Sequence, residues 1–168
     1  MSTLHVENLK GLSSGGNANK IIVPSGQTLY APGHVIQVVQ GSTNTSVSGD
    51  NTTYTDTNLS ATITPKSASS KILIKVNQHY RFDRYGFSIR VLRGSTAIQE
   101  PTNKFAQYSA DFNDDLRGYY NYEIIDTPST TSAITYKTQY ACNSSSGVGA
   151  RFNDNSFYSY LTLMEIAQ

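Results

Sequence analysis

The chain has no tryptophan and a single cysteine, Cys142. No intrachain disulfide can form, so the fold must stand on packing, and this cysteine usage fits synthesis in a reducing cytosol. Asp, Glu, Lys and Arg make up 15% of the 168 residues, against roughly 25% in an average soluble domain. The formal net charge is +1, and no basic block stands out. That balance lacks the electrostatic footprint of a nucleic-acid or anionic-membrane binder, so neither partner is expected. No apolar run approaches the ~18 residues that span a bilayer, and the start lacks a cationic segment leading into an apolar one. Neither membrane insertion nor conventional secretion is expected. Also missing is any window of 3.6-residue periodicity long enough for a core helix.

What is present is Ser, Thr, Asn, Gly and Tyr, with turn signals throughout. Leu59, Ala61 and Ile63 alternate with polar residues; so do Ile72, Ile74 and Val76, and Phe87, Ile89 and Val91. Tyr120, Tyr122 and Ile124 repeat the pattern, as do Ile134, Tyr136 and Tyr140. Each set predicts a strand with one face in a core. With a first strand at 34–40, a last one at the C-terminus and a short piece near Ala97-Ile98 or Phe105, about eight strands are expected. The predicted class is all-β: a jelly-roll-like antiparallel β-sandwich with an extended N-terminal arm.

The first and last strands break the alternation. In 34–40, Val35 and Val39 fall on one side and Ile36 and Val38 on the other; from Phe157 to Ala167, large apolar side chains occupy odd and even positions alike. One face of each strand can enter the subunit's own core, and the other calls for a second subunit. Val35, Val39, Tyr160, Leu161, Leu163, Met164 and Ile166 are therefore expected to form a subunit seam and the core beneath it, with the side each one faces left open.

Residues 1–33 differ in kind. Leu4, Val6, Leu9 and Leu12 mark one apolar piece, Ser13 to Asn17 interrupts it, and Ile21-Ile22-Val23 marks a second before Pro24-Ser25-Gly26. Pieces this short cannot bury themselves; they either dock on a sister chain or another protein, or lie as a strand along the main domain. The division expected is an attachment arm, 1–33, and a sandwich, 34–168.

Motifs with chemical content are few. Gly11-Leu12-Ser13-Ser14-Gly15 fits G-x-S-x-G, but no buried strand precedes it and no helix can follow through Gly16-Asn17, so it reads as a hinge. Asp111-Phe112-Asn113-Asp114-Asp115 spaces oxygen ligands like the first half of an EF-hand loop. Leu116 and Tyr122 then stand where Gly and Glu are needed, leaving an acidic turn or a calcium site of another kind. His5, His34 and His79 lack metal-ligand spacing. The chain reads as non-enzymatic, with no cofactor, metal or catalytic residue expected. Tyr80-Arg81-Phe82-Asp83-Arg84-Tyr85 combines aromatic and guanidinium groups that can stack on sugar rings, the competing reading being that several of these rings fill the core. Arg81, Asp83, Arg84, Tyr85, Asp111, Asn113 and Asp115 are the candidate receptor contacts.

The opening residues Met1 to Leu9, with Ser14-Gly15-Gly16, Ile21 to Gly26 and Ala31-Pro32-Gly33-His34-Val35-Ile36-Gln37, resemble the starts of small fibre or virion structural proteins of tailed bacteriophages. The closing Ser159 to Ile166 is similar to their ends. The resemblance implies a homotrimeric β-rich head on a virion, joined through the arm to portal, tail or capsid proteins. The alternatives are a module that binds host-surface glycan and a capsid decoration protein. A second similarity is architectural: trimeric jelly rolls of the tumour-necrosis-factor and complement C1q type bring their first and last strands together in the sheet where subunits meet.

Overall fold

The computed structural model describes residues 10–11, 13–18, 20–25, 27, 29, 31–83, 85–101, 106–107, 116–144 and 149–168. The chain divides into two units, Met1–Tyr30 and Ala31–Gln168. In the first, turns are closed by the Ala18 N–H on Gly15 O (3.0 Å) and the Lys20 N–H on Asn17 O (3.2 Å). The Lys20 backbone runs so close to Gly11 that any side chain there would collide with it. The Gly/Ser segment is thus a turn that folds the chain back on itself.

The second unit contains β1 (Val35–Thr43), β2 (Val47–Gly49), β3 (Thr55–Ile63), β4 (Lys71–Phe82), β5 (Phe87–Arg93), β6 (Thr96–Gln99), β7 (Leu116–Asp126), β8 (Ile134–Cys142), β9 (Ala150–Phe152) and β10 (Ser159–Ile166). Four antiparallel pairs, β1 with β10, β3 with β8, β4 with β7 and β5 with β6, are nested in sequence like one long hairpin. Rolling that hairpin joins β10 to β4 and β8 to β5. The product is two sheets, β1-β10-β4-β7 and β3-β8-β5-β6, arranged as a double Greek-key jelly roll. The short strands β2 and β9 pair with each other, and β9 with β4, so the first sheet has six strands. They continue the β1–β10 ladder past breaks at 44–46 and 153–158. The eight expected strand positions become ten strands because the first and last are each interrupted.

The alternating residues face inward as expected. Leu59, Ile63, Ile72, Ile74, Val91, Tyr136, Leu161 and Leu163 build one core cluster, and Phe82, Phe87, Ile89, Tyr140 and Phe152 a second. Burial of each such side chain contributes about 1.5–3 kcal/mol. Along β4 the inward series passes from Val76 to Tyr80 through Gln78, which is fully buried. Its amide nitrogen donates to Asn153 Oδ1 (3.0 Å) and Ser159 Oγ (2.9 Å), and its Oε1 accepts from Thr138 (2.9 Å). Asn153 donates in turn to the carbonyls of Thr45 (2.9 Å) and Thr57 (3.1 Å). This polar layer lies at the level of both strand breaks and satisfies the backbone groups that the breaks release. Farther along, the Tyr136 hydroxyl donates to Asp126 Oδ2 (2.7 Å), which Arg93 also holds (3.1 Å), bracing one sheet to the other. Burial, then the bond to Asp126, pushes the Tyr136 hydroxyl's pKa well above its ordinary value.

One expectation about β1 is corrected. A register shift between Val35 and Gln37 sets Val35 opposite Ile166 and Val38 opposite Met164. The bulge puts Val35 and Val38 together on the outer face, while Val39 packs against the core. Strict alternation had paired Val35 with Val39.

Candidate functional site

Side chains that point outward from the six-stranded sheet are placed by cross-strand register into rows. Val38 of β1, Met164 of β10, Leu73 of β4 and Ile125 of β7 stand side by side in an apolar row. Val38 and Ile125, at its ends, are 57% and 56% exposed. Val35 and Ile166 extend it on one side. On the other side runs the row Gln40, Thr162, Lys75 and Glu123, followed by Ser42, Tyr160, Asn77 and Asn121. These polar groups bond along their rows: Gln40 to Thr162 (2.8 Å), Lys75 to Glu123 (2.9 Å) and Asn77 to Asn121 (2.6 Å). All of these except Ser42 line an open groove of about 470 Å³.

Beyond the groove the face becomes aromatic. Tyr158 stacks on Tyr160 at 6.1 Å, and Phe157 stacks on His79 at 4.6 Å. Tyr119, Phe157, Tyr158 and Tyr160 are all substantially exposed. Every large apolar or aromatic residue exposed in the second unit, among those described, belongs to this one sheet or to the connector lying on it.

The outer face of the four-stranded sheet is built differently. Lys137 and Gln139 of β8 both hold Asp56 of β3 (2.9 and 2.6 Å). Arg90 of β5 grips Gln139 (2.7 Å) and Glu100 (2.8 Å) while its guanidinium lies 4.0 Å over the Tyr54 ring. Thr62 and Thr135 bond across the strands (2.7 Å). The groups this face exposes are polar and bonded to one another, while Ser88, Leu92 and Ala141 on the same face are buried.

The expected seam residues divide between interior and surface. Leu161 and Leu163 are fully buried in the subunit's own core, and Val39 packs against it. Val35, Tyr160, Met164 and Ile166 lie on the outer face, joined there by Val38, Leu73 and Ile125, which the sequence reading did not single out. Of the expected attachment residues, Ile21, Ile22 and Val23 are exposed, at 55%, 55% and 41%; Leu4, Val6, Leu9 and Leu12 lie outside the described residues.

Of the candidate receptor contacts, three lie among the described residues. Arg81 belongs to β4 and binds Asp154 (3.0 Å). Asp83 and Tyr85 lie in the turn after β4, where Tyr85 has φ 63°. Arg84, Asp111, Asn113 and Asp115 lie outside the described residues. Tyr80 and Phe82 join the second core cluster around Phe87 (5.0 and 5.5 Å), as the competing reading held. Ser13 sits in a bend that leads into a turn over 16–18. Among the described residues no three His, Cys, Asp or Glu side chains converge as metal ligands. The Cys142 thiol is buried, and burial raises its pKa, which disfavours the reactive thiolate. Compared with known proteins, the chain matches no family model and no curated protein.

Proposed function

We propose that this protein is a non-enzymatic virion structural protein: a homotrimeric fibre or spike of a tailed-bacteriophage particle, attached through its N-terminal residues and closed on itself through the outer face of the six-stranded sheet. The observation that carries the reading is the contrast between the two outer faces. Val35, Val38, Tyr119, Ile125, Phe157, Tyr158 and Tyr160 are all exposed on this one side of the subunit, with polar rows between the aliphatic and aromatic ends, as at an interface that mixes apolar anchors with hydrogen-bonding groups. A closed ring of three copies covers such a patch without leaving a free copy of it to seed fibrils. The pairing of first strand with last supports the same reading, because it builds the apolar rows from both chain ends.

The test is the oligomeric state of a Val38→Asp/Ile125→Asp variant. Both side chains are more than half exposed in the subunit, so the substitutions spare the fold. Light scattering coupled to gel filtration is expected to show a trimer for the parent chain and a folded monomer for the variant. A Leu161/Leu163 variant would not serve, since both residues are core. A parent chain that is monomeric at micromolar concentration, or a variant that stays trimeric, overturns the reading. A monomer that also binds reproducibly on a glycan array would favour the host-surface alternative, for which the groove between Lys75, Asn77, Asn121 and Tyr160 supplies amide, charged and aromatic contacts.

A further inference from the structure

The last jelly-roll strand is broken between β9 and β10, and the connector 153–158 leaves the ladder there. Asn153 and Ser156 take left-handed backbone conformations, φ 57° and 64°. The connector returns across the outer face of the sheet, where the Phe157 ring lies almost parallel to His79, 4.6 Å and 14° from it. Tyr119 of β7, opposite His79 in the ladder, packs against the same ring in a T-shaped contact at 5.4 Å and 70°. His79 is left 3% exposed, with its Nδ1 buried and without a hydrogen-bond partner.

A neutral imidazole tolerates this, because one of its nitrogens carries no proton and can go unbonded at modest cost. An imidazolium carries N–H on both nitrogens, and the closed stack would strand a charged donor away from water. The neighbouring charges give little relief. Arg117 of β7, Arg81 of β4 and Arg151 of β9 form a cross-strand row beside His79. Asp154 of the connector acts on the histidine but is bound to Arg81 at 3.0 Å; among the described residues, Tyr119, Tyr158, Tyr160, Lys75 and Glu123 also stand on this face, the last two bound to each other at 2.9 Å, and Asp83 follows in the turn after β4.

We propose that the Phe157–His79 stack is an acid-operated latch, in which protonation of His79 expels the Phe157 ring and frees residues 154–158 from the sheet, with Asn153 remaining anchored in the buried polar layer. The latch follows from the connector's geometry and does not depend on the face being a subunit seam. Its direction follows from linkage. Burial holds His79 below its ordinary value of 6.5; Asp154 draws it partly back and Arg117 depresses it further. The closed form therefore binds fewer protons than the open one. Its full stability is present above the ordinary histidine value and is lost as pH falls from there toward the depressed one.

Nuclear magnetic resonance on the labelled full chain tests this. Between about pH 8 and pH 5, the His79 ring is expected to titrate below about 6.5. Hydrogen-exchange protection of the 154–158 amides, corrected for intrinsic rates, should fall by up to about tenfold per pH unit within that window. Phe157→Ala should return His79 toward the ordinary value, and His79→Phe should keep the connector closed throughout. The proposal is overturned if His79 titrates at or above the ordinary value, or if protection is unchanged by acid. It is equally overturned if the parent and His79→Phe lose protection alike. Should His79→Phe fail to fold, the parent titration and Phe157→Ala decide.

Discussion

Glu165 sits fully buried in a strand whose neighbours are apolar, which would be costly for an unpaired charge. Its Oε1 accepts from the backbone N–H groups of Lys66 (2.7 Å) and Ser67 (3.3 Å), and its Oε2 from the Gln37 amide. Burial by itself raises the carboxyl's pKa; the hydrogen bonds, with the Ser70 hydroxyl beside them, outweigh it and hold the group below its ordinary 4.5. The folded state therefore binds fewer protons than the unfolded one below that value. The stabilisation is complete above 4.5 and is lost as pH falls through the depressed folded value. Glu165→Gln is expected to cost about 1.5–3 kcal/mol at neutral pH, the range for hydrogen bonds to a charged group. It should also flatten the loss of stability in acid. Urea unfolding at neutral pH and near pH 3.5 measures both, and equal acid sensitivity in the two proteins would contradict the assignment. Nothing in the run Leu161 to Ile166 announces this role, because the partners of Glu165 come from Gln37 and a turn about a hundred residues away. Gln78 was equally hidden. Its place in the β4 alternation marks it as inward, yet its partners Asn153 and Ser159 belong to a chain break that local pattern does not encode.

At the scale of elements, the period of two was enough to orient β3, β4, β5, β7 and β8, because each sends alternate side chains into the core; on β5 it does not reveal that the outward Ser88 and Leu92 are buried as well. It failed where the ladder is irregular. The bulge in β1 and the connector before β10 are decided by tertiary bonding, and each re-aims side chains that simple alternation had placed otherwise. The apolar row shows the same limit: Leu73 stands between Lys71 and Lys75, and Ile125 follows the inward Ile124, so each looks like an isolated surface residue. Only the register of four strands makes them neighbours. Gly41 tests how tightly these elements are stacked. A Cβ there would fall on the Ser60 carbonyl oxygen, where β1 crosses β3 of the opposite sheet. Backbone cannot yield as a side-chain tip can, so Gly41→Ala is expected to cost about 2–3 kcal/mol through overpacking. The signature is a lower urea midpoint with an unchanged slope. A midpoint within error of the parent's would mean that the two strands part easily.

For the whole molecule, the question is whether the folded species is one chain or three. A jelly roll of this size buries a complete core, so a monomer is conceivable, and stability by itself does not distinguish the two. Mass action does. If three unfolded chains give one folded trimer, tenfold dilution removes about 2.7 kcal/mol per trimer, or about 0.9 kcal/mol per chain. For a domain of this length that lowers the melting temperature by about 2–4 °C per decade of concentration. The chain has no tryptophan, so melts followed by far-ultraviolet circular dichroism over about two decades of concentration are the suitable readout. The parent is expected to show the slope and Val38→Asp/Ile125→Asp to lose it while still melting cooperatively. A parent midpoint independent of concentration, with reversible unfolding, would make the single jelly roll the cooperative unit and leave its apolar face to some partner other than itself.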